Sequence, residues 1–330
     1  MSKYLFAGLL LSVAAVPPVA AQQARGISAY DREQGAAANP KLISDYGGAY
    51  TGPQAAYVER VGKRVAVQSG LSDAAGSFTV TTLNSPVENA FAIPGGYIYI
   101  TRQLLALMNS DAELASVLGH EVGHVAARHA AGRNKRSTIG SILAAGVGMA
   151  TGSDLASRAV GAGAQLYTLK YGRDQEYQAD ALGVRYMTAA GYNPYAAAEI
   201  LAALDASTGL AAQATGQNAR YLPTWASTHP NGADRVRRAE QLAAQTGRPQ
   251  PADVQDTAFL RMLDGLPYGD PKEGRKIVRV VAVGPRDTID TLAARMAYDS
   301  LKRERFLLLN DLPEDRALKA GTLVKLVVKG

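Results

Sequence analysis

His120-Glu121-Val122-Gly123-His124 lies in a stretch that reads as helix, and the spacing of its two histidines decides what that helix does. Four residues along an α-helix leave two side chains offset by only about 40° around the axis, so both imidazoles can reach one ion. Glu121 neighbours that stripe and can touch a water beside the ion rather than the ion itself. The chain holds four histidines in 330 residues, so chance rarely supplies such a pair. The pattern reads as one catalytic zinc ion per chain, with Glu121 as general base.

Working outward, Ser110 and Glu113 form a capping box that opens this helix, which is expected to run to about Gly132. A catalytic zinc needs a third protein ligand and an open position. His129 is nine residues from His120, about 180° round the helix. It continues the stripe Leu118, Val122, Val125 and reads as a packing or surface histidine. A second helix, from about Leu169 to Ala190, carries Arg173-Asp174-Gln175-Glu176-Tyr177-Gln178-Ala179-Asp180 and is stopped by Gly191. Glu176 and Asp180 share a face with Val184 and Met187. Two carboxylates on an apolar, inward face are costly unless positive charge meets them. Zinc and its histidines supply that charge. Glu176 is therefore expected as the third ligand, and Asp180 as acceptor of a hydrogen bond from the outer nitrogen of a ligating histidine. A plain salt bridge, for example to Arg173, is the competing role for Asp180.

The rest of the chain supplies context. Tyr4 to Val16 is apolar after Lys3, Pro17-Pro18 breaks it, and Val19-Ala20-Ala21 offers small residues for cleavage, so residues 1–21 read as a signal peptide. There are no cysteines. This excludes a thiolate metal site, a cysteine nucleophile and dependence on disulfides. The formal charge of +6 comes from scattered residues. It favours acidic surfaces, peripheral membrane association included, and gives no nucleic-acid signal. Helix is expected through much of residues 22–75, and strands over Ser77–Leu83 and around Tyr97–Ile100 after Pro94-Gly95-Gly96. Residues 137–168 are rich in small residues and interrupted by Asp154 and Arg158. They read as non-spanning, either a lid over the cleft or a core helix.

H-E-x-x-H followed some fifty residues later by E-x-x-A-D resembles the gluzincin metallopeptidases of the HtpX and CAAX prenyl protease family, and most of all its soluble, exported, BepA-like branch. Asn89 to Gly96, Thr228-His229-Pro230 and Arg235 extend the likeness, which covers roughly residues 40–245. The resemblance implies an edge strand beside the cleft within Phe91–Thr101, where a peptide gains main-chain hydrogen bonds. It also implies that His229 and Arg235 come near the metal. His229 then either stabilises the oxyanion or approaches the open position and keeps the enzyme latent.

Past Arg248-Pro249-Gln250-Pro251, residues 275–330 read as strand, helix, helix, strand: Lys276–Val283, Thr288–Met296, Lys302–Leu309 and Thr322–Lys329. This tail is similar to a LysM glycan-binding module, through Asp287-Thr288, Leu292-Ala293, Leu309-Asn310 and Leu318 to Gly321. Pro285-Arg286 stands where such modules have glycine, and the stretch between the helices is long. The expected architecture is α+β: a mainly helical zincin-type domain with a small β-sheet over 22–247, a linker over 248–274, and a small βααβ domain over 275–330. The expected function is zinc-dependent cleavage of unfolded or misassembled envelope proteins in the periplasm, with peptidoglycan a further candidate partner of the tail. A peptidoglycan-crosslink hydrolase and a chaperone-like binding protein are the alternatives.

Overall fold

The computed structural model describes residues 26–71, 74–130, 171–216, 225, 229, 232–250, 252 and 254–330. The leader over 1–21, the small-residue stretch 137–168, Thr228 and Pro230 lie outside the described residues.

Helices α1 (Ala29–Asp45), α2 (Pro53–Val67) and the single turn α3 (Ala74–Ser77) precede strands β1 (Thr79–Leu83), β2 (Ala90–Ile93) and β3 (Tyr97–Thr101). Next come α4 (Arg102–Leu107), α5 (Asp111–Ala126), α6 (Arg173–Ala189), α7 (Ala196–Thr215) and α8 (Ala233–Gln245). The sheet order is β1-β3-β2, with β1 parallel and β2 antiparallel to β3. Gly95 and Gly96 turn between β2 and β3 at φ 94° and 84°, a left-handed region that favours residues without a Cβ.

Alternation along the strands divides the core. Ala90, Ala92, Ile98 and Ile100 pack against α2 and α5 in the main cluster. Phe91, Ile93 and Tyr99 pack from the other face with Leu42 and Tyr46. Phe91 lies 4.8 Å from Tyr99 and 5.0 Å from Tyr46, ring centre to ring centre. The sheet is thus covered on both faces, which is why β2 and β3 are near-continuous apolar runs rather than alternating ones. Because β3 is central, the edge expected within Phe91–Thr101 narrows to β2, whose register pairs it with β3 alone among the described residues.

Helices α5 and α6 meet closely because three positions lack bulk. A Cβ on Gly119 would stand 3.1 Å from the Gly183 carbonyl oxygen, one on Gly123 2.9 Å from that of Ala179, and one on Gly183 2.9 Å from the His120 nitrogen. This near-backbone contact brings Glu176 within reach of the histidine pair.

The stretch 248–274, expected as a linker, instead carries α9 (Thr257–Leu263) and β4 (Pro267–Tyr268). Phe259, Leu263 and Leu266 join the main core, so burial holds these residues in place. Strands β4, β5 (Lys276–Ala282) and β6 (Leu323–Lys329) form a second, antiparallel sheet. Helices α10 (Ile289–Ala294) and α11 (Lys302–Leu309) pack on it around Leu292, Phe306 and Leu326, giving the strand–helix–helix–strand order expected. The whole is the mixed α+β fold anticipated. Among the described residues, no helix is long and apolar enough to cross a membrane.

Candidate metal centre

Ser110 caps α5 by accepting from the Glu113 backbone N–H at 3.1 Å, as expected. The Glu113 carboxylate, however, accepts from the backbone N–H of Asn109 at 2.9 Å, one residue before the N-cap, so the reciprocal half of the expected capping box is displaced by one residue. The helix then carries His120, Glu121 and His124 inward, at 4%, 0% and 2% exposure. Glu176 and Asp180 arrive from α6, and Arg235 from α8.

His120, His124, Glu176 and His229 each offer a ligand atom, all within 4.8 Å of one another. The two histidine Nε2 atoms lie 2.9 Å apart, and each is 3.5 Å from a Glu176 oxygen. His229 Nδ1 is 3.2 Å from Glu176 Oε1 and 3.3 Å from His120 Nε2. Ligand atoms about 2.1 Å from a tetrahedral zinc stand about 3.4 Å from one another, so these spacings fit. Charge fits as well. When ionised, the buried carboxylates of Glu121, Glu176 and Asp180 face, among the described residues, one guanidinium, that of Arg235, leaving a deficit that one divalent cation neutralises. Both oxygens of Glu121 are buried without a hydrogen-bond partner among the described residues, and His229 Nε2 is 3.7 Å away. A buried, unpartnered carboxylate beside a cation cluster is suited to receive a proton from a water there.

The supporting groups are equally specific. Asp180 Oδ1 lies 2.9 Å from His120 Nδ1, the ring nitrogen turned away from His124. Its salt-bridge partner is Arg235 rather than Arg173, with N–H groups donating at 2.7 and 2.8 Å. A third guanidinium nitrogen stands 2.9 Å from Glu176. Burial alone would raise the Glu176 carboxyl, yet His229 and His120 hold it well below the usual carboxylate range. Burial opposes charge on His120, but hydrogen bonds to Asp180 and Glu176 raise it to about 9. Burial, with His120 and His229 alongside, pushes His124 well down. Burial pushes the Glu121 carboxyl up, partly offset by His229 and His120. The same scaffold thus sets the neighbouring carboxyls of Glu121 and Glu176 apart, one raised and one lowered.

His129 is where the sequence falls short. Helix α5 ends at Ala126, not near Gly132, and Arg128 takes a positive φ of 56°. The chain doubles back, burying His129 with its Nδ1 2.8 Å from His124 Nδ1 and its Nε2 3.0 Å from the Gln178 side-chain oxygen. All four histidines of the chain therefore meet here. Helical periodicity cannot reveal a residue beyond the helix end, and no local stop signal marks that end. Two aromatic walls were also missed: Tyr171 stacks on His124 at 3.8 Å and Trp225 on His229 at 4.0 Å.

A family model described as "Peptidase family M48" matches residues 53–243, a stretch that contains every residue of the cluster. The mitochondrial metalloendopeptidase OMA1 of Schizosaccharomyces pombe is 29% identical over 217 residues, covering 64% of this chain and 60% of that protein. The Arabidopsis thaliana protein of the same name is 34% identical over 159 residues, 48% of this chain and 30% of that one. The beta-barrel assembly-enhancing protease of Yersinia pestis is 28% identical over 220 residues, 62% of this chain and 42% of that one. The chain thus spans between 30% and 60% of the length of these relatives. With the matched stretch exceeding half of its length, and with a buried His/Glu cluster able to hold one metal ion, the chain belongs to peptidase family M48, a zinc-dependent metallopeptidase family.

Proposed function

We propose that this chain is a zinc metalloendopeptidase in which His120, His124 and Glu176 hold the ion and Glu121 is the general base. The observation that carries the reading is the unpartnered, fully buried Glu121 carboxylate beside a ligand cluster of tetrahedral spacing. When bound, zinc polarises the scissile carbonyl and acidifies water. Glu121 takes the proton of the attacking water and delivers it to the leaving amine. Asp180 fixes the ring of His120, and Arg235 neutralises the carboxylates behind the ligands. His229 serves as a fourth ligand in a closed resting state or, turned away, as a donor to the oxyanion. Its Nδ1, 3.2 Å from Glu176, supports the ligand role in this conformation. The outer edge of β2 pairs with substrate backbone, which makes extended, unfolded chains the suited substrates.

The names of the bacterial relatives, together with the leader-like residues 1–21, support misassembled envelope proteins as substrates and the periplasm as the compartment. In this reading residues 22–247 form the peptidase unit, and the LysM-like residues 275–330 have peptidoglycan as a further candidate partner.

The test is cleavage of an unfolded protein by the purified 22–330 chain beside its Glu121→Gln variant, with zinc content measured on both. We expect the variant to keep its zinc and lose about 10²–10⁴-fold in rate, the usual contribution of a general base. Equal cleavage by both proteins, or a variant that loses its zinc, refutes the assignment.

A further inference from the structure

We propose that Lys325 is a positioning residue for the helix bearing the histidine pair, so that the C-terminal sheet is a working part of the peptidase's metal centre. Lys325 lies on β6, far along the chain from the motif, yet its ammonium is fully buried against the peptidase core. It donates to the carbonyl oxygens of Ala106, Leu107 and Met108 at 2.9, 3.1 and 2.6 Å. An ammonium has three protons, and all three are used. The carbonyls belong to the end of α4, where the last turn lacks intrahelical donors and carries the negative end of the helix dipole.

The corner gripped in this way leads directly into α5. Met108 is followed by Asn109 and Ser110, which hold Glu113 from both sides: the Asn109 N–H donates to its carboxylate and the Ser110 hydroxyl accepts from its N–H. Glu113 is itself buried, and its charge and that of Lys325 act on one another. From this first turn α5 runs without a break to His120 and His124. A rigid rod pivoting at its start moves everything further along it, while a catalytic constellation tolerates only about 0.5 Å.

The other end of the staple is fixed too. The Lys325 backbone N–H donates to Asn310 Oδ1 at 2.6 Å, and Asn310 Nδ2 donates back to the Lys325 carbonyl at 3.0 Å. Filling the same space with an apolar side chain would avoid burying a charge. The lysine is explained by the corner it holds. Other contacts join the same surfaces: Arg102 donates to the carbonyls of Pro267 and Gly269, and Gln54 to that of Met262.

The experiment compares Lys325→Met and Asn310→Ala with the parent in the full chain. Its three readouts are zinc affinity by chelator competition, hydrogen exchange at residues 111–116, and kcat and KM on an unfolded protein. For Lys325→Met we expect zinc binding weakened about 10-fold or more, as when an outer support of a ligand is removed. Exchange in the first turn of α5 should quicken about 10-fold, and kcat should fall about 10-fold with KM within about twofold. Asn310→Ala, which keeps the ammonium but loosens its strand, should shift all three in the same direction by less. Parental zinc affinity and kcat in Lys325→Met overturn the proposal, whatever its melting temperature. Should that variant fail to fold, parental zinc affinity and exchange in Asn310→Ala overturn it instead. The kcat arm rests on the peptidase reading. A parent that binds zinc and cleaves nothing refutes that reading, while the zinc and exchange arms still decide this one.

Discussion

Replacing Arg235 with methionine tests the electrostatics of the centre most directly. The guanidinium is 2% exposed and sits 2.7 and 2.8 Å from Asp180 and 2.9 Å from Glu176, two carboxylates that are themselves buried. Hydrogen bonds to charged groups contribute about 1.5–3 kcal/mol each, but three from one side chain do not add. The better guide is the cost of stranding buried charge by removing its partner, about 3–5 kcal/mol. At roughly 2–4 °C per kcal/mol for a domain of this size, chelator-treated Arg235→Met should melt about 6–20 °C below the parent. A divalent cation supplies some of the missing positive charge, so saturating zinc should narrow that gap. Differential scanning calorimetry of both proteins, with chelator and with zinc, measures the four melting temperatures. A variant that melts within 2 °C of the parent under chelator, or a gap that zinc leaves unchanged, refutes the charge argument.

Two further outcomes follow from the same geometry. His129→Ala removes the group that meets the outer nitrogen of His124 at 2.8 Å, so zinc affinity by chelator competition should fall about 10–100-fold; an unchanged affinity would reduce His129 to packing. Glu113 has its carboxyl pushed by burial from 4.5 to about 8. A raised folded value means its share of stability is full below about 4.5 and is lost as pH rises toward about 8. Lys325 is pushed down by burial to about 7, so its opposing share acts mainly above neutrality. The melting temperature of Glu113→Gln relative to the parent should therefore rise between pH 5 and pH 7, and a flat difference across that range would contradict the assignment.

Some elements were legible in the linear sequence because they depend on periodicity and local stops. The helix start at Ser110, the pairing of His120 with His124, and the face shared by Glu176 and Asp180 all follow from local rules of the helix, its cap and its 3.6 residues per turn. The strand–helix–helix–strand order of the tail was readable for the same reason, and Lys302–Leu309 has the bounds expected. The stretch 248–274 looked like a linker because Arg248-Pro249-Gln250-Pro251 interrupts the helical pattern at its start. Phe259 and Leu263 are buried only because another part of the chain covers them.

The sequence by itself determined which residues can share a helix face, and hence that His120 pairs with His124 and Glu176 with Asp180. Tertiary structure alone decided who meets them. His129 returns to His124 through a left-handed residue, Arg235 rather than Arg173 answers Asp180, β2 rather than β3 forms the edge, and Lys325 crosses from the last strand to the corner before the catalytic helix. The physical reason is range. Helical phase is fixed within a few residues by backbone geometry, whereas the partner of a buried charge is whatever the folded chain brings within 3 Å, and no local pattern records that distance.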